Sequence, residues 1–94
     1  MRGPKNIYMN IRVSNLSFNV LDAEVRKLFS PFGEVNSAVI IRDKNNGRSN
    51  GSALIDMVND IQGHKAIACL NQTVVDGKVI TVSELPYSIK DYKN

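Results

Sequence analysis

Cationic side chains at two places in the chain set the first chemical question. Arg12 stands inside "NIRVS", and Arg42, Lys44 and Arg48 flank the polar run "RDKNNGRSN", interrupted only by Asp43. Arg2 and Lys5 add two more charges to the first dozen residues, which contain no acid. If the segment around Arg12 lies beside that run, six positive charges gather on one region of the surface and attract phosphate groups. The alternative is a solvated loop with ordinary lysines and arginines, and charge alone leaves both open. The whole chain has 12 Lys and Arg against 9 Asp and Glu, a net charge of +3, which by itself is weak support for a polyanionic partner.

Other reactive residues are sparse. His64 has no second His or Cys at ligand spacing, so neither a metal nor a catalytic role is expected, and it is placed in solvent. Cys69 has no accompanying base and reads as a buried or half-buried helix residue rather than a nucleophile. As the single cysteine it forms no intramolecular disulfide and suits a reducing compartment. The start, "MRGPKNIYMN", lacks the apolar stretch of a secretory signal, and no apolar run is long enough to span a bilayer. A cytoplasmic protein with no cofactor and no membrane partner is expected.

The elements that would position these groups follow from periodicity. Ninety-four residues, 43% of them hydrophobic, bury one modest core. "NIRVSNLSF" alternates in the manner of a strand with one face buried. In "VLDAEVRKLFSPF", Leu21, Val25, Leu28, Phe29 and Phe32 fall on one helical stripe, which Pro31 and Gly33 end. Leu21 occupies the capping position, so Asn19 or Asp22 is expected to cap. Residues 34 to 57 read as two antiparallel strands joined by a polar, glycine-containing loop. "NDIQGHKAIACLNQ" returns to helical spacing through Ala66, Ile67 and Leu70, with Asn59 or Asp60 as cap. A turn at Asp76-Gly77 then leads into a last strand with Ile80 and Val82 on its buried side.

The order is βαββαβ: an α+β, ferredoxin-like sandwich in which a four-stranded antiparallel sheet carries two helices on one face and leaves the other open. The expected core is Val13, Val25, Leu28, Phe29, Ile40, Ile55, Ile67, Leu70, Ile80 and Val82. An acyl phosphate hydrolase on this topology would need an anion-cradling loop with an arginine between the first strand and helix, and "SNLSFNVLD" contains none, so no enzyme is expected.

With these elements placed, residues 9 to 85 resemble the RNA-recognition motif (RRM) domain, in a compact form similar to the small single-domain RNA-binding proteins of bacteria. Residues 1 to 8 are left as an N-terminal extension and 86 to 94 as a tail. "SNLSFNV", "LFSPFGEV", "NGRSNG", "KAIACLN" and "DGKVITV" carry the likeness. Against the family pattern K/R-G-F/Y-G/A-F-V-x-F/Y, Gly51, Ala53, Ile55 and loosely Met57 comply, while Asn50, Ser52 and Leu54 depart. In the companion motif, Ile11-Arg12-Val13-Ser14-Asn15-Leu16, Arg12 replaces the ring. Two to three missing rings, at about 1 to 3 kcal/mol each, forfeit roughly 2 to 9 kcal/mol of base stacking. A guanidinium plane offsets part of this by stacking on a base itself.

The resemblance implies a single-stranded RNA binder of modest affinity and low sequence specificity, with single-stranded DNA as a further candidate ligand. The residues assigned to the interface are Arg12, Ser14, Asn15, Phe18, Val39, Ile41, Arg42, Lys44, Arg48, Ser52, Leu54, Thr81 and Ser83, with Ser37 and Asp56 on the same open face. Phe18 supplies an edge contact or is simply a packed loop residue. A second reading takes Val39, Ile41 and Leu54 as an exposed aliphatic patch for a protein partner, for another copy, or for the tail with Tyr87, Ile89 and Tyr92.

Overall fold

The computed structural model describes residues 9–85. Its elements run β1 (Met9–Ser14), α1 (Asp22–Phe29), a 3₁₀ turn (Ser30–Phe32), β2 (Val35–Arg42), β3 (Ser49–Met57), α2 (Asp60–Leu70), β4 (Val74–Val75), β5 (Lys78–Val79) and β6 (Thr81–Glu84). The main sheet has the order β2-β3-β1-β6 and is antiparallel at every junction. The expected four strands and two helices are therefore present. What periodicity did not separate is the short β4–β5 ribbon, because two residues a side carry too little alternation to register. Its turn is the expected one: Asp76 and Gly77 both have positive φ, 52° and 82°, the pair of dihedrals that a two-residue hairpin demands.

Burial alternates with the two-residue period in β1, whereas Gly51 to Ile55 of central β3 are all buried. Ile11, Val13, Ala53, Ile55, Ile40 and Val82 point to the helices and meet Val25, Phe29 and Ala66 in one core. Leu28, Ile67 and Leu70, placed in that core by their spacing, are only partly buried and pack on its flank. Leu21 departs from its expected stripe. It is the N-cap of α1, with extended backbone, and its side chain is 58% exposed. Neither Asn19 nor Asp22 caps. Instead Glu24 accepts a hydrogen bond from the Leu21 amide at 2.8 Å, the returning half of a capping box. Asp22 bonds across to the sheet, where its Oδ1 accepts the Ile40 amide of edge strand β2 at 2.9 Å, while Arg26 donates to the Val35 carbonyl at 2.9 Å. Helix α1 thus covers backbone groups that an edge strand would otherwise leave open to another chain.

Asn59 caps α2, accepting from the Gln62 amide at 3.0 Å. At the other end Asn71 accepts the Val82 amide at 2.8 Å and ties the helix to β6. Cys69 is exposed rather than buried or half-buried, because Ala66 and Gly63 take the inward positions of α2. Gly63 is required there by proximity: a Cβ at this position would lie 2.5 Å from Cγ and 2.8 Å from Cβ of Met9, which is fully buried.

Gly63→Ala should consequently destabilise the domain even though alanine is the better helix former. The propensity gain of about 0.5–1 kcal/mol is outweighed by overpacking of about 1–3 kcal/mol against Met9. Urea unfolding should show a lower midpoint at unchanged slope; a raised midpoint would mean that β1 yields to the methyl group.

Candidate functional site

The helix-free face is built by register. Val39 on β2 pairs with Leu54 on β3, Leu54 with Arg12 on β1, and Arg12 with Ser83 on β6, so one row of four side chains crosses the whole sheet. One row along, Ser37, Asp56 and Asn10 stand side by side. Toward the opposite end come Ser14 with Thr81, then Ser52, whose Oγ accepts a hydrogen bond from Arg12 Nη2 at 3.4 Å. Of the expected residues, Arg12, Ser14, Val39, Ser52, Leu54, Thr81 and Ser83 thus share one face.

Their exposure differs from the expectation in a way that matters. Leu54 and Ser52 are 4% and 6% exposed, Ile41 is half-buried, and Val39 alone of the aliphatic trio is open, at 42%. The open aliphatic patch is therefore smaller than three residues on one face implied. The cause is position: β3 is a central strand, so Leu54 is flanked by Val39 on one side and the longer Arg12 on the other. Arg12 itself is exposed, as are Thr81 and Ser83 on the edge strand.

Asn15 proves to be a structural residue. It adopts φ 65°, and its side-chain amide donates to the Val79 carbonyl at 2.8 Å, fastening the β4–β5 ribbon to the end of β1. The hairpin loop is organised in the same manner by Asp43, whose Oδ1 accepts the amides of Asn45 and Asn46 at 2.7 and 3.2 Å, an Asx turn. The one acid among the hairpin cations is thus engaged by loop backbone, and Arg42, Lys44 and Arg48 are all exposed around it. Arg2 and Lys5, and the tail residues Tyr87, Ile89 and Tyr92, lie outside the described residues.

Phe18 is not packed away in its loop. It is 69% exposed and rests on the backbone of Gly51, where a Cβ would stand 3.2 Å from ring atom Cε1 and 3.1 Å from the Leu16 carbonyl oxygen. Gly51 has φ 85° in a stretch where the β2–β3 register slips between Ile40 and Arg42, and its own carbonyl accepts the Leu16 amide at 2.8 Å. Residues that sequence reasoning passed over complete this corner: Lys78, whose Nζ lies 5.9 Å from the Phe18 ring centroid, and Ser49, whose Oγ accepts the Gly51 amide at 3.0 Å. The Asp76-Gly77 turn was the available signal for Lys78, since it sends the chain back toward the end of β1.

The two ends of the face differ in charge. Arg42, Arg48 and Lys78 gather where β1 ends, and Asp56 stands at the other end, with Oδ2 held by Asn36 at 2.9 Å and Oδ1 buried with no hydrogen-bond partner among the described residues. Away from this face, His64 is exposed, bonds the Asp60 carbonyl and lies 3.4 Å from Glu84. Among the described residues no group of His, Cys, Asp or Glu is arranged to hold a metal ion, and no helix is long and apolar enough to cross a membrane.

Comparison with known proteins agrees with this architecture. The RNA recognition motif family model matches residues 11–81. The chain is 32% identical over 73 residues to glycine-rich RNA-binding protein 1 of Mycosarcoma maydis, covering 78% of this chain and 42% of that protein. It is 33% identical over 76 residues to human RNA-binding protein 24, covering 81% and 32%. The chain thus spans less than half the length of these curated relatives. Among solved structures it superposes on RNA binding protein PG1 with a TM-score of 0.83 at 31% identity, covering 85% of this chain and 96% of that one. It superposes on a Sex-lethal protein/RNA complex with a TM-score of 0.80 at 31% identity, covering 89% and 49%.

Gly51→Ala tests the geometry of the corner. A side chain at this φ costs about 1–3 kcal/mol, and the added Cβ presses on both Leu16 and Phe18. Lower stability together with lost exchange protection of the Leu16 amide is the expected result; an unperturbed Leu16 amide would mean that the loop does not depend on this contact.

Proposed function

The chain belongs to the RNA recognition motif family, and from that premise we propose that it binds single-stranded RNA on the helix-free face, at modest affinity and with little sequence preference. The observation that carries this reading is Arg12: an exposed guanidinium in the middle row of the sheet, at the position where the family motif has a ring, on a domain whose β2–β3 hairpin carries three further exposed cations. A guanidinium both stacks on a base and attracts phosphate. Ser14, Thr81 and Ser83 offer hydroxyl groups beside it that hydrogen-bond sugar or base edges without selecting one base.

The absence of rings at positions 12, 52 and 54 shifts the balance of the interaction from stacking to charge. Few specific base contacts and several phosphate contacts give an affinity that falls with salt and varies little with sequence. Single-stranded DNA satisfies the same contacts apart from those to the 2′-hydroxyl, so discrimination against it is weak. The names of the curated relatives and the RNA complex among the solved neighbours support the same ligand. Burial of Leu54 and Ile41 counts against the competing reading, a protein contact through the aliphatic trio, since little apolar area is left to bury. The domain limits of 9 to 85, a cytoplasmic location and the absence of catalysis belong to the same proposal.

Amide-shift titration with a mixed pool of single-stranded RNA tests it, with shifts expected along β1 and β3 and in the hairpin, and weakening as salt is raised. Arg12→Ala should weaken binding by about tenfold, the loss of one stacking or charge contact of about 1.4 kcal/mol. Lys65→Ala, at an exposed position of α2, should change it less than about twofold. Equal losses from the two variants would make the binding diffuse electrostatics without a defined surface.

A further inference from the structure

A cleft of about 470 Å³ opens beside the sheet, lined by Phe18, Arg42, Gly47, Arg48 and Ser49. It lies between the β1–α1 loop and the β2–β3 hairpin, off the row of side chains centred on Arg12. Its volume falls within the range of about 300–1,000 Å³ that small-molecule sites occupy. We propose that this cleft is a nucleotide subsite in its own right, in which Phe18 stacks on a base and Arg42 and Arg48 hold the phosphates flanking it. The proposal rests on the RNA-binding reading and moves its aromatic contact from the sheet to the loop.

Three observations support the assignment. Phe18 keeps 69% of its surface exposed, although a folded domain gains by burying such a ring, and its loop is held by the Val20 amide on the Ser17 carbonyl at 3.2 Å and the Asn19 amide on Ser17 Oγ at 3.3 Å. The ring is therefore presented outward by backbone structure and rests on Gly51 from below. Both arginines lack a carboxylate partner among the described residues, and Arg42 spends one donor on the Gly47 carbonyl at 3.3 Å, which orients it and leaves most of its fork for a ligand. Lys78 lies against the same ring and adds positive charge without lining the cleft. A planar aromatic face beside two guanidinium groups that have no carboxylate partner among the described residues matches a base and its phosphodiesters. An acidic peptide would use the charges and leave the ring idle.

The test uses the full chain and a fluorescently labelled single-stranded RNA of mixed sequence, with adenosine monophosphate as the minimal probe. Phe18→Ala should lower RNA affinity by about 5- to 150-fold, Phe18→Tyr should retain it, and neither should change the salt dependence. The double variant Arg42→Ala with Arg48→Ala should lower affinity and reduce the salt slope by about 1.4, two contacts at about 0.7 each for a single strand. The nucleotide should shift the amides of Gly47, Arg48 and Ser49 in the wild type and not in Phe18→Ala. All of these side chains are exposed, and an otherwise unchanged amide spectrum establishes that the variants are folded. If RNA binds, Arg12→Ala weakens it and the Phe18 and arginine variants do not, the subsite is overturned while the sheet reading stands. If wild-type protein binds no RNA, both fall. Equal retention of an acidic peptide and RNA would also overturn it, making the corner a generic anion surface.

Discussion

The constraint on which the functional end of this domain depends is the backbone at Gly51. With φ at 85° and no Cβ, the chain lets the Leu16 amide reach the Gly51 carbonyl and lets the Phe18 ring lie directly on β3. That one contact joins the end of β1, the loop before α1 and the irregular start of β3. Three further links build on it: Ser49 accepts the Gly51 amide, Asn50 accepts the Ser52 amide, and Asn15 holds the Val79 carbonyl. The result is a corner in which a ring, two arginines and a lysine stand near one another although they come from four separate loops or strands. A bulkier residue at 51 would have to lift the loop from the strand, and the ring with it.

Much of the fold was legible because two-residue alternation survives in β1, β2 and β3 and the helices have one buried stripe each. Ile40 and Ile55 face the helices as the pattern requires, which fixes the register of the sheet centre and, with it, the residues on the opposite face between the two β2–β3 register slips. The pattern misled where a position does two jobs. Leu21 has the spacing of a core residue, but it is the last extended residue before α1, so its side chain leaves the stripe. Asp22 has the chemistry of a cap, yet β2 needed an acceptor for the Ile40 amide, and tertiary demand prevailed over the local motif. Cys69 was placed inward on residue type alone, whereas the inward positions of α2 are set by what Met9 leaves room for.

The site was legible as a set of residues and not as a surface. Alternation says which side a residue faces; it cannot say how far its neighbours overhang it. Leu54 and Ser52 face away from the helices as expected, and both are buried, because the flanking strands of a central position supply cover that depends on side-chain length across the sheet. The reverse holds for Phe18. A loop phenylalanine in a small domain has an ordinary explanation in packing, and only the three-dimensional placement of Gly51 reveals that it packs by its edge and remains open. Lys78 was missed for a related reason: the Asp76-Gly77 turn marked the reversal of the chain, but the ribbon that brings Lys78 near Phe18 is too short to leave a periodic trace.

These placements determine how binding strength can arise on a surface without its usual rings. A platform of aromatic side chains gains from several stacked bases at once. Here the sheet offers one guanidinium, and its outward neighbours are hydroxyl groups or buried aliphatic chains. In the proposed complex, strength on the sheet itself must therefore come chiefly from phosphate contacts, which are additive along a strand but carry no sequence information, with the loop ring of Phe18 as the aromatic addition. The arrangement of charge supplies direction instead. Cations are gathered at the end of the face where β1 finishes, and the carboxylate of Asp56, with one oxygen lacking any partner among the described residues, stands at the other. On the proposed RNA-binding reading, a polyanion crossing from Arg42 toward Arg12 would meet attraction first and repulsion last, which would confine its contact to a short stretch in the basic half. A short footprint of this kind limits both affinity and selectivity, and a longer polypeptide could recover either by adding a second binding surface beside this one, since linked modules raise overall avidity without any change in the individual contacts.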